Sequence, residues 1–151
     1  MRVILQRVSQ GQVTVADEIV GEIGSGFVAL VGVTHGDSEA DAELLARKTA
    51  HLRVFEDAEG KMNVSAIDQG AGVLVISQFT LYADMRKGRR PSFTDAAKPD
   101  YAEPLVEHYA ACLKAEGIQQ VETGVFGAMM AVDIHNQGPV TMILDTAELN
   151  A

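Results

Sequence analysis

The stretch Val73-Leu74-Val75-Ile76-Ser77-Gln78-Phe79-Thr80-Leu81 begins as a run of aliphatic residues and ends in polar side chains around one aromatic ring. A continuous apolar run of this length predicts a buried strand over Val73–Phe79. Sites are commonly built from side chains held at the end of a rigid strand. The stretch therefore predicts a buried sheet with a candidate site at its edge. In the alternative interpretation, Ser77 and Gln78 only satisfy the sheet edge and Phe79 is a core residue.

Strand patterns also precede this stretch, in the N-terminal quarter of the chain. Their β-branched content and partial alternation predict strands at Arg2–Ser9 and Gln12–Val15, joined by a turn at Gly11. Two further strands are predicted at Ile19–Ile23 and at the fully apolar Phe27–Val31. We expect these segments to form a β-meander.

Two main helices are predicted, one before and one after the buried strand in the sequence. Asp37-Ser38-Glu39 supplies a capping residue and early acids for a helix that runs to about His51. A second helix is predicted from Pro99 to Glu116, ended by Gly117. The periodicity directs one face of each helix inward, at Ala42, Leu45, Ala46 and Ala50 in the first and at Leu105, Val106, Tyr109 and Leu113 in the second.

The remaining segments are short, and no repeat or linker separates them. We therefore predict a single α/β domain with a curled, mainly antiparallel, barrel-like β-sheet and two main helices. The other predicted elements are a strand at Leu52–Phe55, a turn at Asp57–Lys61, a loop at Val64–Gly72, and strands around Gln120–Thr123, Ala128–His135 and Val140–Leu144.

Length and composition limit the possible classes of protein. A prior of roughly 150 residues per domain predicts one domain for the 151 residues, spanning 1–151. No apolar run approaches the roughly 20 residues that span a bilayer, and Met1–Arg7 reaches charged residues too early for a signal peptide. We expect a cytoplasmic protein. The four histidines form no HExxH pattern, and no Walker loop or GxSxG motif occurs, so we expect no metal and no cofactor.

Charge is unevenly distributed along the chain. The formal net charge of -9 argues against a surface that binds nucleic acid everywhere. Four of the twelve basic residues nevertheless fall within Arg86–Arg90, here called the basic loop. This concentration predicts local binding of phosphate through Arg86, Lys87, Arg89 and Arg90, and the alternative is an ordinary solvated loop.

A glycine-proline pair interrupts the apolar pattern near the C-terminus, in Asn136-Gln137-Gly138-Pro139-Val140-Thr141. Glycine permits positive φ and close backbone approach, and a Gly-Pro peptide bond has a reduced preference for trans. The pair could present two carbonyl oxygens in a rigid arrangement. Alternatively, it is an ordinary turn that opens an edge strand.

Together, Ser77–Leu81 and Asn136–Thr141 resemble the two motifs of the D-aminoacyl-tRNA deacylase family. The resemblance extends over nearly the whole chain. The segment beyond Leu144, Asp145–Ala151, looks longer than the family's usual end and is expected to be peripheral. Three further segments match the family pattern in order and spacing: Gln6-Arg7-Val8, Phe55–Asn63 and Gly88–Phe93.

The resemblance implies a homodimer in which a cis Gly138-Pro139 bond of one subunit enters the pocket of the other. Its carbonyl oxygens would face the α-amino group of the substrate, and Asn136 belongs to the same segment. Fixed backbone at this place excludes an L side chain and leaves space for a D side chain. The implied reaction is hydrolysis of the ester of D-aminoacyl-tRNA to free D-amino acid and tRNA. Glycine has no side chain to exclude, so glycyl-tRNA(Ala) is also an implied substrate.

Ser77, Gln78, Phe79 and Thr80 are the candidate catalytic residues. Thr80 is a candidate nucleophile, but no His or Asp adjoins it in sequence, and only folding could bring His135 near it. We favour the family's model, in which backbone N–H groups near Phe79 and Thr80 hold the carbonyl while the tRNA 2′-hydroxyl assists water. Gln78 would then orient the ribose, Phe79 would pack on the terminal adenine, and the basic loop would hold acceptor-end phosphates.

Two other classes of function remain open. A non-catalytic RNA-binding module would retain acceptor RNA without releasing amino acid from it. A ligand-regulated dimer would bind free D-amino acids without needing a nucleotide. Dependence on the terminal adenosine discriminates between these two alternatives, and release of amino acid distinguishes the enzyme from the binding module.

Overall fold

A six-stranded mixed sheet is the centre of the structure, a computed structural model that describes residues 1–151. A separate two-stranded ribbon and four helices complete the α/β domain. The elements in chain order are β1 (Arg2–Val15), β2 (Glu18–Ile23), β3 (Gly26–Gly32), α1 (Glu39–His51), β4 (Arg53–Glu56), β5 (Met62–Ser65), α2 (Ala66–Gln69), β6 (Gly72–Ser77), a 3-10 turn (Phe79–Tyr82), α3 (Pro99–Glu116), β7 (Val121–Thr123), β8 (Ala131–Asp145) and α4 (Thr146–Leu149).

The long strand β1 organises the sheet. β8 pairs with it antiparallel along most of its length, while β3 pairs with its first half and β2 with its second half. β6 and β7 extend the sheet in parallel from β3, and β2 also contacts β6 and β7. The sheet therefore curls into a nearly closed barrel, which confirms the predicted fold class. The predicted meander is wrong, because β3 pairs with β1 instead of β2.

At two glycines the sequence predicted the end of one strand and the start of another, and the structure has one continuous strand at each. Gly11 lies within β1, where a Cβ atom would come within 2.7 Å of Val28 Cγ2. The missing side chain thus allows close packing at this position, and no turn forms. Gly138 and Pro139 likewise lie within β8, which the sequence divided into two strands and a turn. β1 and β8 remain paired on both sides of these glycines, across shifts in register.

The segment predicted as a loop between Val64 and Gly72 contains short regular structure. β5 pairs with β4, and α2 follows directly. The Ser65 side chain accepts a hydrogen bond of 3.1 Å from the Asp68 N–H and so caps α2. Gly70, at φ 68°, ends it. Elements of four residues are too short to produce a periodic pattern, so the sequence did not reveal them.

The central strands bury both of their faces, because successive side chains point to opposite sides of a sheet. Phe27, Val73 and Val75 belong to a core of 26 buried residues that also includes residues of α1 and α3. Val28 and Leu74 belong to a second core, inside the curl of the sheet. β6 ends at Ser77, two residues before the predicted end of the strand.

Both main helices follow the sequence prediction. α1 begins after Ser38, whose capping box with Asp41 is complete, and α3 ends at Gly117 in the left-handed conformation. The predicted inward residues are all buried. The Tyr109 hydroxyl, fully buried at the helix interface, hydrogen-bonds to Thr49 Oγ1 at 2.8 Å. None of the helices has the length and hydropathy needed to cross a membrane.

The two ends of the described chain meet beside the sheet. The Met1 ammonium group is buried and lies 2.5 Å from Asp37 Oδ1 and 2.8 Å from Thr146 Oγ1. Asp145 and Thr146 are buried, which corrects the expectation that the whole segment from Asp145 is peripheral. Within this C-terminal segment, only the residues from Ala147 onward are exposed.

Candidate active site

A cavity of about 660 Å³ opens beside the carboxyl ends of the parallel strands β3 and β6. Val31 lies at the end of β3 and Val33 just after it, and Ile76 and Ser77 come from the end of β6. The loop Phe93–Lys98 and the start of α3 form a second wall, and the segment Phe126–Val132 forms the third. Most of these residues are apolar, so the cavity suits a flat or apolar group with a few directed polar contacts.

The chain turns sharply where β6 ends, and this places backbone donors at the cavity. The Gln78 N–H still belongs to the sheet and donates to the Val31 carbonyl at 2.7 Å. The 3-10 turn starts at Phe79, so the N–H groups of Phe79 and Thr80 have no acceptor within it. No other backbone hydrogen bond in the turns and loops uses them. Two adjacent N–H groups are therefore free beside the cavity.

Phe79 and Phe93 form an aromatic corner of the cavity. Their ring centroids lie 5.0 Å apart at an interplanar angle of 68°, an edge-to-face contact. Phe79 is nevertheless 56 % exposed, and Met129, which also lines the cavity, is 92 % exposed. Large apolar side chains with this exposure commonly mark a binding surface.

Thr80 lies next to the cavity but does not line it. Its Oγ1 accepts a hydrogen bond from Gln78 Nε2. None of the four histidines lines the cavity, and His135 instead pairs with Gln10 Nε2 at 3.4 Å in a polar cleft elsewhere. Folding therefore does not bring His135 to Thr80 as a general base.

Arg2 packs against the other end of the 3-10 turn. Its guanidinium group lies 4.8 Å from the centre of the Tyr82 ring and is held by Asp145 Oδ2, at 2.8 Å from both Nε and Nη2. Burial, followed by the carboxylates of Asp37 and Asp145, raises the pKa of Tyr82 well above its ordinary value. Tyr82 is thus a neutral packing group for the turn.

The second motif lies away from this cavity within the chain. Gly138 and Pro139 are exposed, their peptide bond is cis, and Gly138 lines a separate cleft with Arg7. Arg7 Nε donates to the Gln137 carbonyl at 3.2 Å. Asn136 Oδ1 accepts from the Val140 N–H at 3.1 Å and so closes a bend around the pair. A single chain therefore does not bring the two motifs together.

The basic loop stands out from the surface between Asp84 and Ser92, which exchange two backbone hydrogen bonds of 2.7 and 2.9 Å. Arg86, Lys87, Arg89 and Arg90 are all exposed. The Arg86 guanidinium forms two hydrogen bonds to Asp84 and lowers the pKa of Asp84 to about 2. Lys87, Arg89 and Arg90 form no ion pair, so they are available to an external anion.

No side chain that lines the cavity is a common metal ligand, because His, Cys, Asp and Glu are absent from its walls. Three groups close enough to share an ion, Glu39, Glu43 and His108, lie on the outer surface of α1 and α3. The polar features at the cavity are therefore backbone donors, neutral polar side chains and one lysine, Lys98.

Sequence reasoning placed Ser77, Gln78 and Phe79 at one site, and the structure finds all three in the cavity wall. It missed Phe93 as a partner of Phe79 and missed the wall formed by Met129 and Met130. The adjacent methionines before an alternating strand were a weak signal of an apolar surface.

Residues 4–145 match the family model described as D-Tyr-tRNA(Tyr) deacylase. Among curated relatives, a D-aminoacyl-tRNA deacylase of Thermomicrobium roseum is 61% identical, covering 99% of this chain and 96% of its own. A D-aminoacyl-tRNA deacylase of Thermus aquaticus is 59% identical, covering 98% of this chain and 97% of its own.

Solved structures have the same fold. The structure titled c-Myc DNA Unwinding Element Binding Protein superposes with a TM-score of 0.90 at 37% identity, covering 96% of this chain and 98% of its own. A probable eukaryotic D-amino acid tRNA deacylase gives a TM-score of 0.81 at 18% identity, over 95% of this chain and 97% of its own. At 18% identity, the similarity to this second structure concerns the fold alone.

Proposed function

The chain belongs to the D-Tyr-tRNA(Tyr) deacylase family, and on that premise we propose that it removes D-amino acids from the 3′ end of tRNA. It is a hydrolase of the aminoacyl-tRNA ester bond, like the relatives named D-aminoacyl-tRNA deacylase. Residues 1–151 act as one domain in this reaction. The observation that carries the proposal is the pair of free N–H groups, Phe79 and Thr80, at the edge of an apolar cavity.

Hydrolysis proceeds by attack of water on the ester carbonyl. The carbonyl oxygen gains negative charge as the new C–O bond forms, and the N–H groups of Phe79 and Thr80 stabilise this oxyanion. The bond from the carbonyl carbon to the ribose oxygen then breaks, and the ribose oxygen takes the proton that the attacking water gives up. The neighbouring 2′-hydroxyl of the tRNA assists the water, because the cavity wall contains no His or carboxylate that could act as base.

The polar and aromatic side chains of the first motif position the terminal adenosine. Phe79 packs on the adenine, and its contact with Phe93 orients its ring. Gln78 orients the ribose, with its amide held by Thr80. Ser77 provides a hydroxyl in the wall of the cavity.

Chiral selection requires acceptors for the α-ammonium group, and the cavity wall has no carboxylate to supply them. We place these acceptors on a second copy of the chain, whose exposed Gly138 and Pro139 carbonyls enter the cavity, with Asn136 holding the bend. The free outer edge of β8, which pairs only with β1 in one chain, supports this homodimer. An L side chain would collide with this backbone, whereas the side chain of a D-amino acid points away from it.

Glycine has no side chain, so the same filter admits it. We therefore propose glycyl-tRNA(Ala) as a second substrate. The basic loop binds acceptor-end phosphates through Arg86, Lys87, Arg89 and Arg90, and Arg86 contributes least because Asp84 already neutralises it.

Hydrolysis of D- and L-tyrosyl-tRNA, each with a 2′-hydroxyl or a 2′-deoxy terminal adenosine, tests the proposal. We expect release of D-tyrosine only, and a large loss of rate without the 2′-hydroxyl. Binding of RNA without release of amino acid would instead indicate a binding module. Binding of free D-tyrosine that needs no nucleotide would indicate a ligand-regulated dimer.

A further inference from the structure

Lys98 is the only charged residue in the wall of the cavity. It lies between the buried Ala97 and Pro99, the first residue of α3. Every other side chain of the wall is apolar or neutral. Lys98 is exposed, so its apolar stem can lie along this wall while its ammonium group stays in water.

The backbone around Lys98 is fixed, whereas its side chain is free. The Ala97 N–H donates to the Val33 carbonyl at 3.0 Å, which ties this segment to the end of β3. The Lys98 carbonyl accepts from the N–H groups of Tyr101 and Ala102, at 3.0 and 2.9 Å. The exposed ammonium group forms none of the ion pairs in the structure. Its charge is therefore available to a group that enters with the ligand.

The chemistry of the ligand identifies that group, if the proposed function is right. The terminal adenosine of tRNA is joined to the rest of the strand through one phosphodiester on its 5′ oxygen. With the base on Phe79 and the ribose at Gln78, the 5′ side must leave through the mouth of the cavity, since the base and the ribose occupy its interior. Lysine binds phosphate as a compact point charge on a flexible stem.

We propose that Lys98 binds the phosphodiester that joins the terminal adenosine to the acceptor strand, so that the cavity distinguishes a polynucleotide ester from an aminoacyl nucleoside. Lys98 would act at the cavity itself, while the basic loop acts on phosphates outside it. This inference rests on the proposed function.

The first test measures binding of two small ligands, adenosine and adenosine 5′-methylphosphate, by isothermal titration at low salt. They differ only in a phosphodiester, so their affinity ratio reports the phosphate contact. We expect the wild-type chain to prefer the phosphodiester by roughly tenfold, as for other hydrogen bonds to charged groups. Lys98→Gln should abolish this preference and leave adenosine binding unchanged.

Lys114→Gln is the matched control. It removes the same charge from the other end of α3, at an exposed residue outside the cavity wall. The control should keep the preference for the phosphodiester. A preference that survives in Lys98→Gln, or its absence in the wild-type chain, would overturn the inference.

Hydrolysis separates this inference from the proposed function. With D-tyrosyl-tRNA, Lys98→Gln should raise KM several-fold and leave kcat unchanged. The slope of log KM against log salt concentration should fall by about 0.7, the value for one single-strand phosphate contact. With D-tyrosyl-adenosine the variant and the wild-type chain should be equal. A wild-type chain that prefers the phosphodiester but hydrolyses neither ester would refute the proposed function and leave the phosphate contact standing.

Discussion

Arg2 Nη1 donates a hydrogen bond of 2.7 Å to the backbone carbonyl of Leu81, in the middle of the 3-10 turn that presents Phe79 and Thr80. Asp145 holds the same guanidinium group from the other side. The first strand, the last strand and the 3-10 turn thus share one side chain. Because arginine offers several donors in a planar fork, no other residue type can make all of these bonds together.

Arg2→Lys should therefore lower the rate of D-tyrosyl-tRNA hydrolysis more than it lowers stability. Lysine keeps the charge opposite Asp145 but cannot also hold Leu81, so the turn loosens. A small displacement of positioned groups costs up to about a hundredfold in rate, and we expect a loss of about tenfold in kcat. Arg53→Lys is the control, because Arg53 Nε also bonds a carbonyl, that of Asn63, but outside the cavity. Equal losses in kcat for both variants would contradict the role of Arg2.

Thr80→Ala should retain most of the activity, within about tenfold of the wild-type kcat. The backbone N–H survives the change, and only the hydrogen bond with Gln78 is lost, a loss of about 1 kcal/mol for an exposed pair. Single-turnover hydrolysis of D-tyrosyl-tRNA measures the effect, with Thr80→Ser as the variant that keeps the hydroxyl. If Thr80→Ala falls to the uncatalysed rate while Thr80→Ser remains active, the hydroxyl is the nucleophile.

Neutralising Arg89 and Arg90 together should weaken tRNA binding and flatten its dependence on salt. Each lost phosphate contact lowers the log–log slope by about 0.7 to 0.9. The ratio of D to L hydrolysis should not change, because both residues lie in the basic loop and outside the cavity wall. Arg47 and Lys48 on α1 provide a control pair of exposed charges. An unchanged slope in the loop variant would leave the loop as an ordinary solvated segment.

Asp37→Asn should destabilise the fold strongly, because the Met1 ammonium group beside it is completely buried. Removing one partner of a buried ion pair costs about 3 to 5 kcal/mol. For a chain of this length that corresponds to a fall in Tm of roughly 10 °C. Thermal unfolding measures it, with Asp17→Asn as an exposed control in a left-handed position that asparagine tolerates. A Tm within about 2 °C of that of the wild-type chain would contradict the prediction.

Local patterns were sufficient for the two main helices. Ser38 and Gly117 mark helix ends through interactions within a few residues, and the apolar spacing identifies the inner faces. The strands were harder to delimit. Gly11 and Gly138 interrupt local patterns, but β1 and β8 pair on both sides of these positions, so each strand continues through its glycine.

The site was predictable where it follows one strand and unpredictable where it is assembled from distant segments. Ser77, Gln78 and Phe79 are adjacent in sequence, so a motif could identify them. Phe93, Lys98 and Met129 reach the cavity only through the packing of α3 and of the loop before β8. No local pattern encodes such long-range contacts, and this explains why the phosphate-binding candidate became visible only in the structure.

The pairing of β1 with β8 has a consequence for how the molecule is made. Arg2 and Asp145 are 143 positions apart, yet their side chains meet at one end of the sheet. A ribosome completes β1 first and β8 last, so one edge of β1 has no partner strand until almost the whole chain has emerged. Closing so large a loop is entropically costly and slow. During synthesis the nascent chain therefore carries an open β-edge, the kind of surface on which chaperones act and at which aggregation begins.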